Sequence, residues 1–245
     1  MAAPIEPLLI ATLAGMLDGL GHVAVGASSP IPGAAALLAR ARGGGRPRIS
    51  VLGSIAHNPF TDGARELFDC AAQGRIDAFF FGGVQIDGAA NINLIGVGGY
   101  PQTKARFPGS FGSAYLYHLV PRVILFRQEH SPRTLVPRVE FVSAAGTSPA
   151  HHYRPGGPHA LVTSRCVFAF DRERGRFRLE CLHPGETLEG VREATGFDFD
   201  LSADLGETPA PDAATMALIE GPVAEAVAET YPDFARRVFG AKHAA

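Results

Sequence analysis

The sequence predicts an α/β fold: an open, mainly parallel sheet flanked by helices, with an antiparallel hairpin near an edge. Three observations carry this. Short apolar stretches alternate with helical patterns through residues 7–81, and that alternation builds parallel sheets. Residues 78–81 form a continuous apolar run, as in a strand covered on both faces, and Gly82 and Gly83 end it. After residue 120 the pattern turns strand-rich, and residues 166–170 and 177–181 flank the loop DRERGR as a hairpin.

Taken in order, residues 7–19 read as a helix, 22–26 as a strand, 32–42 as an alanine-rich helix and 49–52 as a second strand. Thr61 or Asp62 caps a helix that carries Leu67, Phe68 and Ala71 on one side, and Gly74 stops it before the strand at 78–81. Residues 120–126 and 138–142 follow as strands. In the hairpin, pairing Phe170 with Phe177 sets Phe168 opposite Leu179 and Cys166 opposite Cys181. That face is apolar, and the other carries Arg176, Arg178 and Glu180. Residues 187–195 form a short helix stopped by Gly196, and residues 198–212 read as an acidic, proline-punctuated linker. Pro209 and Pro211 then introduce a helical tail broken at Pro222 and Pro232. The expected organisation is one domain over residues 1–200, with the tail at 201–245 packed on it.

Composition sets limits. A chain of 245 residues with 46% hydrophobic side chains buries a large core. A net charge of −2, with no cluster of Lys and Arg interleaved with aromatics, argues against a nucleic-acid partner. No apolar run approaches a membrane span, and residues 1–21 lack a basic leader and carry Glu6 and Asp18. The expectation is a cytoplasmic protein without a membrane partner. Three cysteines without regular spacing form neither a disulfide framework nor a zinc site, so the hairpin thiols are expected to serve as small core residues. Neither a metal nor a permanently bound cofactor is expected.

Chemistry concentrates just past residue 81. Gln85, Asp87, Asn91 and Asn93 follow the glycine break at once, where open α/β sheets place their ligands, beyond the carboxyl ends of strands. The same spacing also fits a hairpin with polar turn residues. Residues 26–32, GASSPIP, join a strand to a helix N-terminus, where Gly26 and Ser28 or Ser29 are placed to meet substrate. His151, His152 and His159 lie among Gly and Pro without an acidic companion and read as a solvated loop. GVGG at 96–99 is followed by Tyr100 and Pro101 rather than a helix and reads as a turn.

Four blocks carry a family resemblance. Gly82, Gly83, Gln85, Asp87, Asn91 and Asn93 match the pattern Gly-Ala/Gly-x-Gln-x-Asp-x-x-Gly-Asn-x-Asn of the beta subunits of family I CoA-transferases of the glutaconate CoA-transferase type, with Ala90 where the pattern has glycine. Residues 104–113, KARFPGSFGS, residues 130–146, HSPRTLVPRVEFVSAAG, and residues 182–197, LHPGETLEGVREATGF, resemble three further segments of that family. The resemblance implies a CoA-transferase-like α/β fold, a CoA thioester as substrate and an alpha-type partner subunit, or a homo-oligomer in its place. His183 matches the family's Leu-His-Pro-Gly turn, and a structural hydrogen bond is its expected role.

The family mechanism implied by the resemblance needs a glutamate that attacks the thioester, just after the second strand. Here that place is VLGSI at 51–55, and no Asp or Glu occurs between residues 19 and 61. Gly53 or Ser54 stands at the position, with His57 three residues beyond, and these take the candidate catalytic roles, against a turn residue and an ordinary loop as the other reading. Gly82 and Gly83 would present N–H groups to an oxyanion, with Gln85, Asn91, Gly26 and Ser29 as candidate acyl-CoA contacts. Two functions follow: a beta-type half of a heteromer that transfers CoA or hydrolyses acyl-CoA, and a catalytically inert subunit that binds CoA esters or scaffolds a partner.

Overall fold

In the computed structural model residues 4–240 are described. The outer ends of the expected domain ranges, residues 1–3 and 241–245, lie outside them. The elements run α1 (Glu6–Gly15), β1 (His22–Val25), α2 (Pro30–Arg42), β2 (Arg48–Val51), α3 (Gly63–Ala72), β3 (Ala78–Phe81), β4 (Gln85–Ile86), β5 (Ile92–Asn93), β6 (Gly96–Val97) and β7 (Ala105–Arg106). They continue with α4 (Ser113–Leu119), β8 (Arg122–Arg127), β9 (Pro158–Thr163), β10 (Cys166–Asp171), β11 (Arg176–Leu182), α5 (Leu188–Ala194), β12 (Asp200–Glu207), α6 (Ala213–Leu218), α7 (Ala224–Thr230) and α8 (Pro232–Phe239). The fold is α/β with an open, mixed and mostly parallel sheet of eight strands, as the alternation of helix and strand predicts. Packing divides the described residues into two units, one of residues 4–70, 75–80 and 209–240, the other of residues 71–74 and 81–208.

In the first unit β1 pairs in parallel with β2 and with β3, Val23 facing both Ile49 and Ala78. All four residues of β1 are buried, and Phe79 and Phe80 on β3 are each 3% exposed, so the continuous apolar run at 78–81 does mark a strand covered on both faces. Helix α2 is buried along Ile31–Ala39 because its alanines let α1 and α7 approach closely. Helix α3 starts just past the expected caps, but the bonds run the other way: Glu66 folds back so that its carboxylate accepts from the N–H groups of Thr61 and Asp62. The tail breaks where its prolines stand. Pro222 lies in a π-helical turn, Ile219–Val223, whose Gly221 leaves helical geometry, and Pro232 opens α8.

In the second unit β8 and β9 are parallel, and β10 is antiparallel to both β9 and β11. Phe168, Phe177, Phe197 and Phe199 interlock over this sheet, with Phe168 ring centroids 5.8 Å from Phe177 and 5.0 Å from Phe199. Three expectations need correction. The hairpin keeps Phe170 opposite Phe177 and Phe168 opposite Leu179, but a bulge between Val167 and Phe168 moves Cys181 opposite Val167 and Leu182 opposite Cys166. Residues 138–142 are not a strand, because side chains capture their backbone: the N–H of Val139 donates to Asp87 and that of Glu140 to Gln85. Within the supposed linker at 198–212, residues 200–207 form the edge strand β12, parallel to β11 and held by ion pairs from Arg174 and Arg176 to Asp200.

Two outcomes test this packing. Phe168→Ala is expected to remove about 3–5 kcal/mol of stability, read as a lowered urea midpoint at unchanged slope. His130, 7% exposed, bonds Thr163 through Nδ1 and Thr195 through Nε2, and burial lowers its pKa from 6.5 to about 4. Between those values the unfolded chain binds the extra proton. Stability is therefore present above pH 6.5 and lost as pH falls toward 4, by about 3 kcal/mol from this group. His130→Gln should flatten that part of a stability-against-pH curve.

Candidate functional site

The first cluster lies in the second unit, immediately after β3. A side chain cannot enter at Gly83, where a Cβ would stand 2.8 Å from the Gln85 carbonyl; at Gly82 it would stand 3.2 Å from that of Phe126. Among the described residues, the N–H groups of Gly82 and Gly83 meet no acceptor. That leaves two successive donors free beside a strand end, in a segment where Gly83 itself is buried. Strands β4 and β5 pair antiparallel across the turn at 87–91, so the hairpin with polar turn residues is realised here.

Asp87, 4% exposed, organises this turn: Oδ1 accepts from the N–H groups of Ala89 and Asn91, and Oδ2 from Asn91 Nδ2 and the N–H of Val139. Ala90 takes φ 57°, a left-handed conformation that suits the glycine of the pattern, and Tyr117 donates to its carbonyl at 2.8 Å. The side chain of Asn91 is committed to Asp87 and to the N–H of Gly146. Gln85 is equally committed. Its Oε1 accepts from Asn93 Nδ2 at 2.8 Å and from the N–H of Glu140 at 3.0 Å, and its Nε2 donates to Glu140 Oε1.

Glu140 is a site residue that the sequence motifs do not single out. Its other oxygen accepts from the N–H groups of Gly98 and Gly99 at 2.6 and 3.0 Å, and these two donors, followed by Gln85, hold the carboxyl below the usual glutamate range. The GVGG stretch is thus a turn, as expected, but one that holds a carboxylate. A signal was present in the RVEFVS stretch, where an acid stands next to an aromatic inside the block at 130–146.

The second cluster lies in the first unit, in the turn after β2. The Ser54 hydroxyl, on a residue 5% exposed, accepts from the N–H of His57 at 2.9 Å and donates to Glu229 Oε2 at 2.7 Å. Glu229 Oε1 accepts from the N–H of Ile55 at 2.7 Å. Desolvation pushes the Glu229 pKa up, but hydrogen bonds from Thr230, Ile55 and Ser54 and the neighbouring His57 outweigh it, and the carboxyl titrates below its ordinary range. A carboxylate thus stands at the turn that lacks one in sequence, delivered from α7. Ser29 caps α2 without a side-chain bond; its N–H donates to the Tyr231 hydroxyl at 3.4 Å, and its hydroxyl to the Ala27 carbonyl. A Cβ at Gly26 would meet only ordinary contacts. Glu229 and Tyr231 had no local signal, being about 175 and 202 residues from their partners.

The remaining candidates carry structure rather than chemistry. His183 bonds Thr208 Oγ1 and the Thr163 carbonyl, the structural role expected of it. Burial pushes the Cys166 thiol up to about 12 and raises that of Cys181, so neither is a ready thiolate. No group of His, Cys, Asp and Glu among the described residues is arranged to hold a metal. No helix among them is long and apolar enough to cross a membrane.

The sequence model of the family described as coenzyme A transferase matches residues 31–194. The chain is 34% identical over 145 residues to the B subunit of the 3-oxoadipate CoA-transferase of Pseudomonas knackmussii, covering 56% of this chain and 55% of that protein. It is 33% identical over 147 residues to the B subunit of the glutaconate CoA-transferase of Acidaminococcus fermentans, covering 57% and 54%. To the cholesterol ring-cleaving hydrolase IpdB subunit of Rhodococcus jostii it is 31% identical over 163 residues, covering 63% and 62%. The chain thus spans little more than half the length of the curated relatives it matches. In structure it is similar to the decarboxylase AibA/AibB, with a TM-score of 0.76 at 27% identity, covering 98% of this chain and 100% of that one. The chain belongs to the coenzyme A transferase family, family I, and resembles its B-type subunits.

Proposed function

We propose that this chain is the B-type half of a two-subunit enzyme acting on an acyl-CoA thioester, by transfer or hydrolysis. The free N–H groups of Gly82 and Gly83 carry the reading. When a nucleophile adds to a thioester carbonyl, negative charge develops on its oxygen, and two fixed backbone donors stabilise that charge without reorganisation. Gln85 and Asn91 act as positioning residues, holding the loop through Asp87, Asn93 and Glu140. Ser54 and His57 occupy the turn where the family keeps its nucleophile, with Glu229 as the acid nearest the Ser54 proton. Gly26 and Ser29 form a further candidate acyl-CoA contact.

The relatives are named as transferase, hydrolase and decarboxylase subunits, and an AibA/AibB pairing supports an alpha-type partner for this chain. Water as acceptor is favoured by the missing glutamate between residues 19 and 61 and by the engagement of both Glu229 oxygens. One observation favours the inert reading: Ser54 and Glu229 satisfy one another, leaving neither hydroxyl nor carboxylate unpaired.

Acyl-CoA turnover by the chain with an alpha-type partner tests the proposal. Alanine keeps the N–H but must displace it where the added Cβ meets backbone, so Gly83→Ala, 2.8 Å from the Gln85 carbonyl, should lower kcat by up to about 10²- to 10³-fold and Gly82→Ala by less, with thermal melting as the control for folding. Unchanged kcat in both variants would remove the oxyanion role, and binding without turnover in the unmodified pair would favour the inert subunit. In a separate assay, acyl-CoA and borohydride followed by intact mass should leave every glutamate of this chain unmodified. An adduct on Glu229 or Glu66 would instead make that residue the nucleophile.

A further inference from the structure

A second concave site lies in the second unit, bordering the turn at 87–91 through Gly146, whose N–H donates to Asn91 Oδ1. It is a cavity of about 190 Å³, lined among others by Thr147, Ser148, His152, Arg154, Phe170 and Arg172. Several waters' worth of volume, at about 30 Å³ each, is room for one tetrahedral oxyanion. Its two guanidinium groups are fixed by the backbone. Arg154 Nε donates to the Gly156 carbonyl at 3.1 Å, and its Nη2 to those of Tyr117 and Ala145 at 3.1 and 2.8 Å. Its Nη1 donates to Ser148 Oγ at 3.2 Å. Arg172 donates from Nε to the Pro158 carbonyl at 3.1 Å and from Nη2 to the carbonyls of Gly157 and Pro121.

Carbonyl oxygens orient a guanidinium but do not cancel its charge. Among the described residues, neither Arg154 nor Arg172 forms an ion pair. Desolvation lowers the pKa of both against an opposing effect of Tyr117, and the Arg172 charge lowers that of Arg154 further. His159 is lowered by desolvation and then by Arg122 and Arg172, so the local field is positive. Asp171, the last residue of β10 and the one before Arg172, uses Oδ1 to accept the N–H groups of Glu173 and Arg174 at its own turn. The Nη1 of Arg172 and the exposed hydroxyl of Thr147 have no partner among the described residues, which leaves donors for a ligand.

We propose that this cavity binds a phosphate-type dianion through Arg154 and Arg172, with Thr147 at its rim. Two fixed, like-charged guanidiniums without an ion-pair partner repel each other until an anion occupies the space they share, and the Nη1 of Arg172 remains to donate to it. The site is argued without the acyl-CoA reading. Its phosphate has two sources, inorganic phosphate or the 3′-phosphate of coenzyme A, and only the second rests on that reading.

Calorimetric titration of the full chain separates these. Inorganic phosphate should bind at low salt, weaken as salt rises, and bind about tenfold or more weakly to Thr147→Asp, which sets a negative charge at the rim while leaving both arginines. An unchanged melting temperature without phosphate shows that the variant folds. Arg172→Lys should weaken binding less than Arg172→Gln, because only the first keeps the charge. If the coenzyme supplies the phosphate, CoA should bind about tenfold more tightly than dephospho-CoA, with the difference lost in Thr147→Asp. Equal affinity for the two, with phosphate binding intact, assigns the site to free phosphate and leaves the acyl-CoA proposal untouched. No phosphate binding at low salt, or binding that Thr147→Asp does not weaken, would overturn the site.

Discussion

The buried carboxylate of Asp87 is the constraint on which the site-bearing loop depends. Four N–H groups converge on its two oxygens, from a turn on one side and from Val139 on the other. A buried carboxylate is costly unless its lone pairs are filled, so the turn and the 138–140 segment are held to one geometry. Gln85, Asn93 and Glu140 extend this arrangement, ending in the Gly98 and Gly99 N–H groups. Polar networks that are fully satisfied specify a single conformation, and this one leaves the two N–H groups ahead of it, at Gly82 and Gly83, without acceptors.

This separation of labour explains why so many matched positions face inward. Asp87, Asn91 and Asn93 resemble substrate contacts in sequence because polar side chains past a strand often are. In the fold they meet backbone and one another. What reaches outward is Gly82, beside the buried Gly83, together with exposed carboxylates at Glu140 and Glu229. A family whose relatives are named for transfer, hydrolysis and decarboxylation is consistent with such a plan: the framework is built inside and the chemistry varies at few positions.

The strand that read as a continuous apolar run, at residues 78–81, was legible because burial on both faces leaves no other pattern, and the strand expected at 22–26 is realised over His22–Val25. The helix start just past Thr61 and Asp62 was legible too. The bulge beside Phe168 was not, since alternation is intact on either side of it and only the extra residue shifts the cysteines. Strand β12 was hidden because most of its residues, DLSADLGE, are acidic, serine or glycine, and what holds it is a parallel partner and two arginines, Arg174 in the turn before β11 and Arg176 at its start. At the site, local motifs marked Gly82, Gly83 and Ser54. Glu229 was invisible because nothing near residue 229 predicts which turn its helix will meet; Glu140 lay inside a matched block, but its role is defined by hydrogen bonds to Gln85 and to glycines about 41 residues earlier, which no local pattern gives.

The central claim is that the Gly82 and Gly83 N–H groups receive the thioester oxygen. It is tested most directly by amide proton and nitrogen chemical shifts of this chain, assembled with an alpha-type partner and titrated with a slowly reacting acyl-CoA analogue. The account predicts downfield shifts of the Gly82 and Gly83 amide protons, as expected on gaining an acceptor, with the amides of Asn91 and Val139 little changed because they already donate to Asp87. Saturable binding of the analogue with no perturbation at either glycine would contradict it.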